Sequence, residues 1–164
     1  MTPLEQRLVF DLEAGEVRDG ERRYLLMRPD VLMGALERLD AEARVRVLEA
    51  FADSAAEYGG KSVHDYLAEP GATIEGLPEI IRVAAAALGW GRWDFESVPG
   101  SVRLTVHNSP FAAGFGPCAQ PVCAPISGVL RSVVESMLHG PILVTESACV
   151  AQGASACRFV ATRK

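Results

Sequence analysis

The sequence has no surplus of positive charge. Sixteen Lys and Arg stand against 21 Asp and Glu, a formal net charge of −5, and no Lys/Arg cluster interrupts that balance. Nucleic acid is therefore excluded as the main direct partner. Long hydrophobic runs are also missing. The longest, "VAAAALGW", falls far short of the roughly 20 residues a membrane-spanning helix needs. The N-terminal "MTPLEQRLVFDLEAG" lacks the basic start and apolar run of a signal peptide. The expectation is a cytoplasmic protein with no membrane contact. Cysteine is scarce, with four in 164 residues, and in the cytoplasm such residues more often bind metal or do chemistry than form disulfides. No Ser/His/Asp order, phosphate loop or paired acidic motif suggests catalysis.

What is present suits one domain spanning residues 1–164. The composition, 49 % apolar and 23 % charged, is that of a globular chain able to bury a core. Residues 8–27 read as two short strands joined at Asp19-Gly20. Pro29 opens an amphipathic helix, and Asp40 caps the next, which Gly59-Gly60 should end. "SVHDYLAE" adds a further helical turn or two, and Thr73 is placed to cap "IEGLPEIIRVAAAALGW". "GRWDFESV" and "SVRLTVHN" alternate about Pro99-Gly100 as a hairpin, "SPFAAGFGPCAQP" reads as loop, and "VCAPISGVLRSVVESMLHG" as a helix. "ILVTESACVAQGASACRFVAT" closes as two strands around Gly153. The order ββ, helices, ββ, α, ββ predicts an α+β fold, an antiparallel sheet packed against helices.

Chemistry concentrates in "TESACVAQGASACRF". Cys149 and Cys157 flank the Gly153 turn, so a hairpin brings them together. Glu146 stands three residues before Cys149, and on a straight strand the two would face apart. A common site needs a bulge between them. Cys123, at the start of the last helix, can add a third sulfur, because helix N-termini favour the thiolate. Zinc takes this donor set. Spacing alone leaves a second reading open, in which the cysteines are small buried residues.

"PILVTESACVAQGASACRF" resembles the C-terminal signature of the 4-vinyl reductase domain family, which includes sensory domains of bacterial activators responsive to phenol and related aromatics. "HNSPFA" and "GEVRDGERRYLLMRPDVLMGALERL" extend the resemblance upstream. It implies a zinc held by Cys123, Glu146, Cys149 and Cys157, within a zinc-bearing part at residues 118–162. Cys118 is then a spare thiol or a substitute for Cys123. The resemblance also implies the ligand-binding fold of NO-signalling and TRAPP-type domains, and pairing of two copies through the hairpin of residues 8–27. Four protein ligands close the shell, so the zinc reads as structural.

A ligand would sit between the helices of residues 41–89 and the sheet. Candidate contacts are Tyr58, Trp90, Trp93, Val106, His107, Phe111 and Phe115, opposite small residues such as Ala52, Ala55, Ala56, Ala84, Ala85 and Ala87. The phenol sensors resembled here use a Trp where this chain has Val106, and an upstream His that "GLPEIIRV" lacks, so their mode of holding a phenol hydroxyl is not expected. The resulting expectation is a stand-alone sensor or carrier domain for a small hydrophobic, aromatic or tetrapyrrole ligand. It would be homodimeric and non-catalytic, and any signalling would need a separate partner. The alternatives are an enzyme or accessory factor in (bacterio)chlorophyll vinyl reduction, and a protein-assembly module.

Overall fold

The computed structural model describes residues 4–164. It opens with a one-turn helix, α1 (Leu4–Arg7), that the sequence pattern did not signal, followed by three strands, β1 (Val9–Asp11), β2 (Glu16–Asp19) and β3 (Arg22–Tyr24). They form their own antiparallel sheet in the order β1-β2-β3. The expected two-strand hairpin is therefore corrected to three strands. The extra turn follows Asp11, whose carboxylate accepts from the Glu13 and Ala14 amides at 3.0 and 2.8 Å, and Gly15 supplies the positive φ. The Asp19-Gly20 turn joins β2 to β3.

Pro29 pre-sets the first turn of α2 (Pro29–Glu37). Asp40 caps α3 (Ala41–Leu67) by accepting from the Ala43 amide at 2.8 Å. This helix runs for 27 residues, straight through the point where Gly59-Gly60 were expected to stop it. Those glycines instead face the helix α6 (Ala124–Leu138). A Cβ on Gly59 would meet Val129 Cγ2 at 3.5 Å, and one on Gly60 would meet Ser132 Cβ at 3.5 Å. Tertiary packing thus overrides the local stop signal. The short helix expected at "SVHDYLAE" is the last part of α3.

In α4 (Leu77–Ala87) the N-cap is Gly76, not Thr73. The Thr73 hydroxyl accepts from the Gly76 amide at 3.2 Å, one turn earlier. The segment read as loop after Asn108 contains α5 (Pro110–Phe115), capped by Ser109, whose hydroxyl accepts from the Ala112 amide. Pro110 occupies its first turn.

The main sheet holds β4 (Arg92–Val98), β5 (Ser101–His107), β6 (Ile142–Ala148) and β7 (Cys157–Arg163), all antiparallel, in the order β4-β5-β7-β6. The β4–β5 turn is Pro99-Gly100, as the sequence indicates. Trp93, Leu104, Val106, Phe159 and Ala161 face inward from the sheet against Ile126, Leu130, Val133 and Val134 of α6, and α3 packs along α6 from the other side. The α+β architecture expected from the sequence is the one observed. Among the described residues, no helix is long and apolar enough to cross a membrane.

Candidate functional site

Four side chains meet where α6 begins. Cys123 is the N-cap of α6, Glu146 lies on β6, Cys149 follows that strand, and Cys157 opens β7. The pairing of β6 with β7 slips between Glu146 and Ala148, Glu146 facing Phe159 and Ala148 facing Arg158. This is the bulge a common site requires. It adds one residue between Glu146 and Cys149, so both turn to the same side. A single turn of 3₁₀ helix (Val150–Gln152) and Gly153, at φ 89°, then reverse the chain toward Cys157.

The Sγ atoms of Cys123 and Cys149 are 3.8 Å apart, those of Cys123 and Cys157 3.5 Å, and those of Cys149 and Cys157 4.0 Å. With a Glu146 oxygen included, all four donor atoms lie within 4.8 Å of one another. The three cysteines are fully buried. Glu146 Oε2 accepts from the Cys123 amide at 3.0 Å, while Oε1 is buried with no hydrogen-bond partner among the described residues. Ser109 places its hydroxyl 3.2 Å from Cys123 Sγ, and the Val150 amide donates to Cys157 Sγ at 3.3 Å.

The electrostatics of such a cluster are unfavourable without a cation. Burial, and then the neighbouring Cys149, push the Glu146 carboxyl up to about 8. Hydrogen bonds from Cys123 and Cys149 hold the Cys157 thiol down to about 3, and the same interactions, with burial, push Cys123 up. Negative charge is thus favoured on Cys157 and disfavoured on Cys123 and Glu146. The four residues form a site that can hold a metal ion. Cys118 is half-buried and stands outside the cluster. Its amide donates to the Ala151 carbonyl at 2.8 Å, which pins the preceding loop against the 3₁₀ turn.

A second feature is a cavity of about 240 Å³. Its walls are α3 (Ala55, Tyr58, Gly59, Ser62, Tyr66), α4 (Ile81, Ala84, Ala85, Leu88), Trp90, Trp93, Val129 of α6 and Tyr24 of β3. Of the candidate contacts, Tyr58, Trp90 and Trp93 line it. Val106, Phe111, Phe115 and His107 do not. Val106 is fully buried opposite Cys157, Phe111 packs edge-on against Trp90 at 5.0 Å, and Phe115 lies under the Arg44 guanidinium. His107 ends β5, 3.3 Å from Asp94. Ala55, Ala84 and Ala85 supply the small-residue walls, whereas Ala52, Ala56 and Ala87 lie off the cavity. The Trp93 indole N–H donates to the Trp90 carbonyl at 3.0 Å, so its polar atom is already satisfied. Tyr24, Ser62 and Tyr66 also line the cavity, and they were not among the candidate contacts.

Comparisons with known proteins place these features in context. No curated protein sequence matches the chain. Among solved structures, the phenol-responsive sensory domain of the transcription activator PoxR, crystallised with phenol, aligns at TM-score 0.82 and 21 % identity, over 98 % of this chain and 86 % of that one. A trafficking protein particle complex subunit 3 from Naegleria fowleri, covalently bound to palmitic acid, aligns at 0.58 and 12 %, over 83 % and 95 % of the two chains. A vinyl-4-reductase family protein from Methanocaldococcus jannaschii aligns at 0.53 and 16 %, over 88 % and 85 %. The expected fold of sensor, TRAPP-type and NO-signalling domains is the one these matches share. Residues 102–163, the stretch that carries all four clustered donors, match the model of the 4-vinyl reductase domain, and the resemblance to that family stands on this match.

Proposed function

We propose that this chain is a small-molecule-binding sensor or carrier domain, built around the α3–α4 cavity and braced by a structural zinc. The observation that carries the reading is the cavity itself. At about 240 Å³ it is larger than the roughly 150 Å³ apolar void that takes up benzene, and smaller than the ~300 Å³ at which drug-sized pockets begin. That size suits one or two aromatic rings. The likeness to a sensory domain crystallised with phenol supports the same ligand class.

Zinc is the metal that fits the donors. Tetrahedral zinc–thiolate bonds of about 2.3 Å set sulfur atoms about 3.8 Å apart, and the three sulfur separations here run from 3.5 to 4.0 Å. The unpaired Glu146 Oε1 is a ready fourth donor. Cys123, Glu146, Cys149 and Cys157 would hold the ion, which when bound supplies a crosslink between α6, β6 and β7. Four protein donors fill a tetrahedral shell, which favours a structural over a catalytic role.

The N-terminal sheet favours pairing of two copies. Phe10, Leu12, Leu25 and Leu26 are 54 to 91 % exposed, and the β1 edge has no neighbour among the described residues. Native mass spectrometry tests the three components together, with expected masses of a dimer, one zinc per chain and a retained small molecule. Calorimetry with phenol and 2-naphthol adds the ligand test, the bicyclic binding more tightly because each buried methylene-sized group contributes about 0.8 kcal/mol. Absence of binding by either compound would refute the ligand reading. A monomer unchanged on dilution would refute the pairing.

A further inference from the structure

Two series of packed side chains join the cavity to the Cys/Glu cluster. The first crosses the main sheet. Trp93 on β4 pairs with Val106 on β5, and Val106 pairs with Cys157 on β7. All three are fully buried. Cross-strand neighbours on one face are within packing reach, so Val106 is the one side chain between a cavity wall and a cluster sulfur. Two strand spacings make that step about 10 Å.

The second series runs through α5. Trp90 lines the cavity, and Phe111 packs edge-on against it with ring centres 5.0 Å apart. Ser109, two residues before Phe111, caps α5 and sets its hydroxyl 3.2 Å from Cys123 Sγ. The two series are joined at both ends. At the cavity, the Trp93 indole N–H donates to the Trp90 carbonyl at 3.0 Å. At the cluster, the Cys123 and Cys157 sulfurs are 3.5 Å apart. The segment between the tryptophans also rests on the backbone that leads into α5, since a Cβ on Gly91 would lie 3.0 Å from the Asn108 carbonyl oxygen. Trp93, Val106, Ser109, Phe111, Cys123 and Cys157 are all at most 5 % exposed. A close-packed interior transmits a displacement instead of absorbing it. A guest that moves the tryptophan wall therefore moves the sulfurs, and a change in sulfur spacing moves the wall.

We propose that Val106 and Phe111 are positioning residues that couple the Cys123–Glu146–Cys149–Cys157 cluster to the tryptophan wall of the cavity, so that occupancy of one site changes affinity at the other. This rests on reading the cavity as the ligand site and the cluster as a metal site. Neither residue lines the cavity, so each acts through the tryptophan it touches. The coupling is reciprocal, as linkage requires.

The test loads the full chain with cobalt(II), whose visible absorption reports the geometry of a tetrahedral thiolate site, and adds 2-naphthol, with binding followed separately by calorimetry. In the parent chain 2-naphthol should shift the cobalt bands. In Val106→Ala and in Phe111→Leu the shift should shrink, and the 2-naphthol Kd should rise roughly tenfold, within the usual range of coupling between sites. Leu104→Val trims a buried residue of the same strand that pairs with Phe95 and Phe159 instead, and it should leave both readouts near the parent values. The parent measurement needs no variant to fold. If 2-naphthol binds and the cobalt bands stay still, the coupling is refuted while the ligand site stands. Bands that shift equally in the parent, Val106→Ala and Phe111→Leu would overturn the role of these two residues. If 2-naphthol does not bind, or cobalt is not taken up, the corresponding site reading falls and the coupling with it.

Discussion

Stripping the metal from the Cys123–Glu146–Cys149–Cys157 cluster tests the structural role directly. The four donors come from the start of α6, from β6 and its bulge, and from the first residue of β7. β7 lies between β5 and β6 in the main sheet, so the ion would tie down a central strand. Structural zinc contributes on the order of 10 kcal/mol or more when folding and binding are coupled, and a domain's whole stability is typically about 5–15 kcal/mol. Loss of the ion also leaves Glu146 Oε1 buried and unpaired, a further cost of about 1–3 kcal/mol. At about 2–4 °C per kcal/mol for a chain of this length, a strong chelator should lower Tm by roughly 20 °C or more, and re-addition of zinc should restore it. The assay is a thermal melt by circular dichroism, with metal content measured on the same samples. A chelated sample free of metal that melts within ~2 °C of the loaded protein would refute the reasoning, because the large core would then hold the sheet alone.

Two further outcomes follow from the same cluster. Ser109→Ala removes the hydroxyl 3.2 Å from Cys123 Sγ and should weaken zinc affinity by roughly 10- to 100-fold, as outer-shell losses do, measured by competition with a chromophoric chelator. The pH dependence has a definite sign. With its carboxyl raised to about 8, Glu146 stabilises the metal-free fold while protonated, fully below the ordinary carboxyl range, and that stability is lost as pH rises through about 8. Metal binding requires the carboxylate instead. The Tm gap between loaded and chelated protein should widen from pH 6 to pH 8.5, and a narrowing gap would contradict the assignment.

The Cys/Glu cluster was readable because most of its information is local. Glu146, Cys149 and Cys157 fall within twelve residues of one hairpin, and the small residues of "ESAC" tolerate the bulge that turns Glu146 and Cys149 to one side. The cavity was half readable for a reason that traces to one misjudged helix end. Ala55, Tyr58, Gly59, Ser62 and Tyr66 recur at helical spacing along α3. Ending the helix at Gly59-Gly60 cut that face in two and hid Ser62 and Tyr66. Val106 was placed on the cavity by analogy of position, but strand register sets it against Trp93 and Cys157 in the core. Tyr24 was out of reach of any local pattern, since the N-terminal sheet meets α3 through long-range contacts such as Arg22–Asp65.

Small residues on α3 answer in two opposite ways, and Gly128 shows which way prevails at each point. A stripe of alanine and glycine leaves a gap only where the facing backbone stays away. Toward α6 it does not stay away. A Cβ on Gly128 would fall inside contact distance of the Ala52 carbonyl oxygen, 2.9 Å from its carbon and 3.0 Å from its Cα. Here the backbones themselves touch, and the space is closed. One and two helical turns further along α3, Ala55 and Gly59 line the cavity, with Val129, the neighbour of Gly128, as part of its wall. The cavity therefore exists at the width that the Gly128 contact sets. Gly128→Ala must push α3 away from α6, because the obstructing atoms are backbone and cannot rotate aside. Overpacking of this kind costs about 1–3 kcal/mol, or roughly 2–12 °C in Tm, and the moved wall should weaken binding of the calorimetric probes. Gly140→Ala, where a Cβ meets nothing within 4 Å, serves as the control and should change neither. If Gly128→Ala melts with the parent chain and binds the probes equally well, the α3–α6 contact does not set the cavity, and the helices have more freedom than their packing implies.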